Sequence, residues 1–596
     1  MKKKNIETNE QIDQGSELLR PYLESLPDIM RYQVITKALL AIWLFLLGKL
    51  FRILLNSTGR VAVSSGDFAF LFATWQGILI IVIGLSTLFV FVALDINTKI
   101  ILSRDLLLNR KTTVLESSEE ALNCLHSFFN IKGLGVILYI ALIAPIVGIG
   151  FSITLTEGLY IPSFISSVIV KTPFYLILMI LVVLAFASIG IANLFLMHGV
   201  VIDKLPVKDA GEQSKKLIRE NWKDYLKQNC LFILVMTVAL LVIAVAILVI
   251  PLSIAGLLPL PSSLKRGSIV FFLLQGIVLT LLADMIATPF YIMKMTQLYY
   301  TYKNNEPFVY KGRKTSQRKL NRAVLSLLFG FLVVAAFLLT IRFDFFFPLN
   351  SNVKIIAHRA GGSEAPENTI AGLNSAYEKG VYGAEIDIQR TKDGYYVINH
   401  DANFERVAKD NRKPNEMTLA EVKKLSVDGE SVPTLEEMLD ASKGKLILFI
   451  ELKGETADKR MADDTVRIVK EHNMKDEVVL ISLKYDVINY IESNYPEMKT
   501  GYLTFASFGD TALLNCDYLA LEEESATRSA INAVHKQGKK VLIWTANGMQ
   551  EQRYFLCSGA DAIITDNITQ ANEIRKQIKD RSDLSRMIDK IKQIMG

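Results

Sequence analysis

The sequence predicts a multi-span α-helical membrane domain followed by a (β/α)8 barrel. Three observations support this prediction. The 596 residues are too many for one domain. The first 345 or so residues contain apolar runs long enough to cross a bilayer. After them the pattern changes to alternating strand-like and helix-like stretches. We therefore predict a membrane domain with about seven transmembrane helices over residues 1–345, a linker over 346–352 and a barrel over 353–596.

The predicted spans follow the apolar runs of the first half. The first run contains Lys37 and Lys49, so it either crosses the bilayer or lies in its interface with its lysines reaching the headgroups. No cleavable signal peptide is predicted, because mostly polar residues follow Met1. The seven candidate spans are Val34–Leu55, Phe70–Leu94, Leu134–Leu155, Phe174–Val200, Cys230–Ala255, Ser268–Met293 and Ala323–Ile341.

The basic residues of the loops predict how the chain is oriented. Lysine and arginine are concentrated in the loops after the second, fourth and sixth spans and are scarce in the alternate loops. Loops rich in lysine and arginine stay in the cytoplasm. Five further crossings separate the first of these loops from the second half, so we expect a cytoplasmic N-terminus and an extracellular C-terminal domain. This loop pattern accounts for the net charge of +6 without a nucleic-acid partner.

Eight strand-like stretches follow the linker, and helical patterns lie between most of them, which is typical of a parallel barrel. We predict an extra strand at Tyr395–Asn399, hairpinned beside the second barrel strand through Lys392-Asp393-Gly394. Cys516 and Cys557 either pair or are two buried thiols. The eight predicted strands are Lys354–Ala357, Gly383–Ile388, Leu446–Glu451, Val478–Ser482, Lys499–Leu503, Asp517–Leu521, Lys540–Thr545 and Ala562–Thr565.

Chemically active side chains stand at or just beyond the ends of these strands, where barrel enzymes hold their active sites. Glu385 and Asp387 share one face of a strand, and with Glu451 they form an all-oxygen set that suits Ca²⁺ or Mg²⁺. His358 and His400 are the candidate general acid and base, because imidazole titrates near neutral pH.

One set of residues runs in order through the second half: His358-Arg359, Glu367-Asn368-Thr369, Glu385, Asp387, Lys-Asp-Gly, His400-Asp401, Glu451, Lys453, Trp544-Thr545 and Thr565-Asp566. This set resembles the pattern of the glycerophosphodiester phosphodiesterase family, whose barrel is of the phospholipase C-like type. Two positions depart from the family pattern. Ala360 stands where glycine is usual, and Leu483 stands where phenylalanine is usual.

The resemblance implies a metal-dependent hydrolase that releases glycerol phosphate and an alcohol. It implies Glu385, Asp387 and Glu451 as metal ligands, with Glu367 near the substrate and Trp544 at the wall of the glycerol pocket. Arg359 and Lys453 would stabilise phosphoryl charge.

Two alternatives remain at this point. One is a phospholipase C-like or D-like enzyme acting on lipids, and the other is a transporter or sensor whose barrel only binds a phosphodiester. The expected partners are a small or polymeric glycerophosphodiester and the lipid bilayer. Protein partners cannot be predicted.

Overall fold

The computed structural model describes residues 2–64, 69–110, 112–138, 169–170, 172–306, 308, 322–347, 352–505 and 507–588. These residues form two compact units. The second unit contains Arg342 and the residues after it, and also the segment Leu50–Ile78 from the first half of the sequence. The predicted domain boundaries remain predictions.

Long helices make up the described part of the first half. Five of them are long and apolar enough to cross a membrane: Ile29–Asn56, Trp75–Leu107, Pro173–Ile202, Val207–Ala255 and Ser262–Asn304. A shorter apolar helix covers Phe329–Ile341. The first run is thus long enough to span, whereas most of the third predicted span lies outside the described residues. The helices are bounded at Lys2–Asn56, Ala69–Ala73, Trp75–Leu107, Val114–Cys124, Ile131–Leu138, Pro173–Ala192, Leu196–Ile202, Val207–Ala244, Ile250–Leu257, Ser262–Asn304, Arg322–Ile341 and Phe343–Phe346.

The second half contains a closed barrel of eight parallel strands, as predicted. Seven observed strands begin and end within one residue of the predicted bounds, and the strand Gly383–Arg390 extends two residues further. We number all strands of the chain in order: β1 (Ala62–Ser64), β2 (Lys354–Ala357), β3 (Gly383–Arg390), β4 (Tyr396–Ile398), β5 (Ser426–Val427), β6 (Glu430–Ser431), β7 (Ile447–Leu452), β8 (Val478–Ser482), β9 (Lys499–Thr504), β10 (Ser507–Gly509), β11 (Tyr518–Glu522), β12 (Lys540–Trp544) and β13 (Ala562–Thr565).

The barrel strands follow the order β2-β13-β12-β11-β9-β8-β7-β3, and the pairing of β2 with β3 closes the ring. The predicted extra strand is β4, which pairs antiparallel with the end of β3. The α-helices of this half are Ile370–Glu378, Glu405–Ala408, Leu419–Val422, Leu435–Ser442, Lys459–Glu471, Tyr485–Asn494, Arg528–Lys536, Met549–Phe555 and Ile568–Gln577.

Two apolar layers hold the barrel together. Inward-facing side chains such as Ile356, Phe449 and Leu542 fill its interior. The outward-facing residues form a larger cluster with the surrounding helices. Parallel strands buried on both faces require such nearly continuous apolar runs. The structure describes all four cysteines, including Cys516 and Cys557, and joins none of them in a disulfide.

Candidate active site

Parallel strands end at the same edge of a barrel, so the predicted site residues converge there. His358 directly follows β2, Glu385 and Asp387 lie on β3, and Lys453 directly follows β7. Asp387 pairs in register with Glu451 on the neighbouring strand. The site therefore assembles from side chains that are up to about 200 residues apart in sequence.

Three buried carboxylates form the centre of the site. One ligand oxygen from each of Glu385, Asp387 and Glu451 lies within 4.8 Å of the others. The Lys453 ammonium donates to Asp387 Oδ1 at 2.9 Å and to Glu451 Oε2 at 3.1 Å. Asn368 donates its side-chain amide to the second oxygen of Asp387 at 2.9 Å, which fixes that carboxylate in place.

Burial and neighbouring charges shift the pKa values of all three carboxyls. Burial, followed by repulsion from Asp387, raises the pKa of Glu385 to about 8. Burial also raises the pKa of Glu451. Burial opposes ionisation of Asp387 too, but Lys453, His400 and Arg359 outweigh it and lower the pKa of this carboxyl. Two of the three carboxyls thus resist ionisation where they lie, and a hard divalent cation bound by this all-oxygen set would favour their ionised forms.

A carboxylate holds His358 in one orientation. Its Nδ1 lies 2.6 Å from Asp566 Oδ1, and Asn547 donates to the other oxygen of Asp566 at 2.6 Å. Burial would lower the pKa of His358, but the hydrogen bond and charge of Asp566 outweigh it, so the pKa is raised. The hydrogen bond at Nδ1 leaves Nε2 as the ring nitrogen for proton exchange.

A different network surrounds His400. Its Nδ1 lies 2.8 Å from Asp401 Oδ1, and Arg406 Nε donates to Asp401 Oδ2 at 2.6 Å. Arg406 also donates to both oxygens of Glu367, which pairs more loosely with Arg359 at 3.4 Å. Burial, only partly offset by Asp401, lowers the pKa of His400. The pKa values of the two histidines are therefore shifted in opposite directions, upward for His358 and downward for His400.

Trp544 ends β12 with its indole N–H donating to the Ala520 carbonyl oxygen at 3.0 Å. Its ring packs against the apolar interior of the barrel. The Ala360 position stands out as well, since Arg359 and Ala360 both have positive φ, at 49° and 65°. A left-handed Ala360 explains why glycine is the usual residue there, because glycine adopts this conformation without steric cost.

The predicted site residues converge at one end of the barrel, but the sequence analysis missed some of their partners. It noted Asp401 and Asp566 without assigning them to the two histidines. The adjacency of Asp401 to His400 was a usable signal for one of these pairs. Arg406 and Asn547 carried no local signal, since only the fold brings them to the site.

Comparison with known proteins gives consistent results for the two halves. Residues 358–570 match the model of the glycerophosphoryl diester phosphodiesterase family. Residues 19–349 match the model described as the membrane domain of glycerophosphoryl diester phosphodiesterase, which covers more than half of the chain.

Individual relatives align with the catalytic half. A glycerophosphodiester phosphodiesterase of Caldanaerobacter subterraneus is 29% identical over 242 residues, which is 37% of this chain and 98% of that protein. One from Bacillus altitudinis is 24% identical over 243 residues, or 38% of this chain and 99% of that protein. Among solved structures, an Oleispira antarctica phosphodiesterase in complex with the product sn-glycerol-3-phosphate is 25% identical, with a TM-score of 0.35 over 37% of this chain and 96% of that chain.

Proposed function

This chain belongs to the glycerophosphodiester phosphodiesterase family and carries that family's membrane domain. On this premise we propose that it is a metal-dependent enzyme whose catalytic domain lies at the outer surface of the cell membrane. It hydrolyses glycerophosphodiesters to glycerol phosphate and an alcohol. The observation that carries the proposal is the pair of carboxylate-bound histidines, His358 and His400, beside the buried cluster of Glu385, Asp387 and Glu451.

The directions of the two pKa shifts, together with the hydrogen bond at each Nδ1, support a division of roles between the histidines. The raised pKa of His358 favours its protonated form, which suits the general acid. His400, with its lowered pKa, is neutral and serves as the general base through Nε2, since Asp401 binds Nδ1. His400 accepts a proton as water attacks phosphorus. The bond from phosphorus to the alcohol oxygen then breaks, and His358 donates its proton to that oxygen.

The remaining residues of the site bind the phosphoryl group and orient the substrate. Glu385, Asp387 and Glu451 would hold a divalent cation, Ca²⁺ or Mg²⁺, which supplies positive charge to the phosphoryl oxygens. Arg359 and Lys453 add further positive charge. Glu367 lies next to Arg359 and contacts the substrate, and Trp544 forms the wall against which the glycerol packs.

The Asp566 carboxylate should determine the alkaline limit of activity. Because the general acid must be protonated, the raised pKa of His358 keeps the enzyme active to higher pH. We expect Asp566→Asn to lower the pKa of His358 and so to move the alkaline limb of the pH profile of kcat/KM to lower pH. The maximum value of kcat/KM should also fall. The control is Asp561→Asn. The carboxylate of Asp561 pairs with His535 at 2.9 Å in another part of the barrel. An unchanged alkaline limb in Asp566→Asn would contradict the acid role of His358.

The location at the outer surface rests on the distribution of basic residues among the loops. In intact cells, a membrane-impermeant lysine label should reach the barrel without lysis. It should not reach the basic loop over residues 204–227. Labelling of that loop in intact cells, with a protected barrel, would place the catalytic domain in the cytoplasm instead.

The substrate proposal follows from that location. An enzyme tethered at the outer surface meets deacylated phospholipids, lysolipids and polymers of glycerol phosphate. We favour glycerophosphodiesters and exposed glycerol-phosphate chain ends over intact diacyl lipids.

A further inference from the structure

One connection of the barrel lacks the usual helix. Each other connection between successive parallel strands contains at least one α-helix. In the described part of the connection from β9 to β11, the only regular elements are β10 and a 3-10 turn at Thr511–Leu513. The outward-facing Tyr502, Leu519 and Leu521 are nevertheless 0–3% exposed. Some other part of the chain therefore covers this side of the barrel.

Residues from the first half of the sequence contribute to that cover. Ala62 belongs to the same apolar cluster as Tyr502, Leu519 and Leu521, and Val61 packs against this cluster. Leu55 and Val63 are also buried, at 2% and 0% exposure. Leu55 lies in the last turn of the helix that ends at Asn56, and Val61, Ala62 and Val63 follow that helix. We call residues 55–64 the docking segment.

Backbone pairing fixes the register of the docking segment. β1 pairs antiparallel with β10, with Ala62 opposite Gly509 and Val63 opposite Phe508. The amide of Asp510 donates to the Val61 carbonyl at 2.9 Å. Gly509 has φ +101°, and a Cβ there would lie 2.6 Å from the Val61 oxygen. Glycine is therefore required at position 509 by both the backbone conformation and the close approach of the docking segment.

The paired strand β10 begins close to the active site. Thr504, the last residue of β9, pairs with Leu521, and the next residue of β11, Glu522, pairs with Trp544. Phe505 therefore leaves the barrel at the end that holds the site residues, and β10 begins two residues later in sequence. Strand β1 pairs with residues 507–509, and Val61 accepts from the amide of Asp510.

We propose that the docking segment is a positioning element for the reaction, which holds residues 507–510 in the conformation that substrate binding requires. This inference rests on the proposed function. It makes the docking segment an integral part of the catalytic unit. Those residues must then lie on the same side of the membrane as the barrel. The catalytic unit is consequently attached to membrane helices at two points in the sequence, at Asn56 and at Ile341.

The test is Val63→Asp in the full-length protein, because it places a charge at a fully buried position of β1 and leaves the active-site residues unchanged. The control is Asn56→Asp, which introduces the same charge at an exposed position of the same segment. We expect Val63→Asp to raise KM for glycerophosphocholine by about tenfold while kcat of the folded enzyme stays within about threefold. Asn56→Asp should change neither. A wild-type KM in Val63→Asp, or a lowered kcat with an unchanged KM, would overturn the proposal.

A cross-link tests the docking itself if Val63→Asp does not fold. Val63 and Phe508 are directly opposite in an antiparallel pair, where Cα atoms lie roughly 4.5–5.5 Å apart, a separation that a disulfide can bridge. The full-length double variant Val63→Cys, Phe508→Cys should form this disulfide, detectable by peptide mass spectrometry, and should keep the wild-type KM. Absence of the cross-link under oxidising conditions would refute the docking. If the double variant formed the cross-link but the wild type did not hydrolyse glycerophosphocholine, the docking would stand and the proposed substrate class would be refuted.

Discussion

Replacement of either active-site histidine should nearly abolish turnover. We expect His358→Ala and His400→Ala each to lower kcat by about a hundredfold or more, the contribution of a positioned general acid or base. Each ring has one nitrogen bound to a carboxylate and lies within electrostatic reach of the carboxylate cluster. The measurement is kcat of purified full-length variants whose unfolding temperature matches that of the wild type.

The chain offers a matched control for this prediction. His535 also pairs with a carboxylate, Asp561, but it lies on an outer helix and its partner precedes β13 rather than following it. His535→Ala should therefore retain activity close to that of the wild type. If a folded His358→Ala or His400→Ala variant were as active as His535→Ala, the two-histidine mechanism would be wrong.

Removal of divalent cations should have an effect of similar size. Three buried carboxylates beside a single lysine repel one another, and a bound cation would relieve this repulsion. We expect excess EDTA to abolish hydrolysis and Ca²⁺ or Mg²⁺ to restore it. In Glu385→Gln, Asp387→Asn and Glu451→Gln, the cation concentration for half-maximal activity should rise about tenfold or more.

The matched control for the ligands is Glu524→Gln. Glu524 belongs to a second acidic group at the end of β11, but it is exposed and its own amide donates to Glu522 at 3.1 Å. Its replacement should leave the cation requirement unchanged. Full wild-type activity after exhaustive chelation would show that no exchangeable cation takes part.

The sequence predicted the barrel well because its signals are local. Runs such as Val478–Ser482 combine β-branched residues with clear breaks on either side, and these patterns define a buried strand without reference to the rest of the chain. The convergence of His358, Glu385, Asp387 and Glu451 followed from one further rule, that parallel strands place their carboxyl ends together.

The features that the sequence did not predict depend on contacts between residues that are far apart in the sequence. Nothing in the composition of Ala62–Ser64 indicates that it pairs with a strand more than 400 residues later. Likewise, Arg406 lies in an insertion, and only the fold brings it to Asp401 and Glu367. A single sequence reports the periodicity of each segment but not its distant partner.

The most direct test of the proposed function is a competition between two substrates. Purified full-length protein, with Ca²⁺ or Mg²⁺, is incubated with glycerophosphocholine and with vesicles of diacyl phosphatidylcholine, and the products are identified by phosphorus NMR. We predict that glycerol phosphate and choline form from glycerophosphocholine faster than any product forms from the diacyl lipid. Preferential cleavage of the diacyl lipid, or binding of glycerophosphocholine without turnover, would contradict the proposed function.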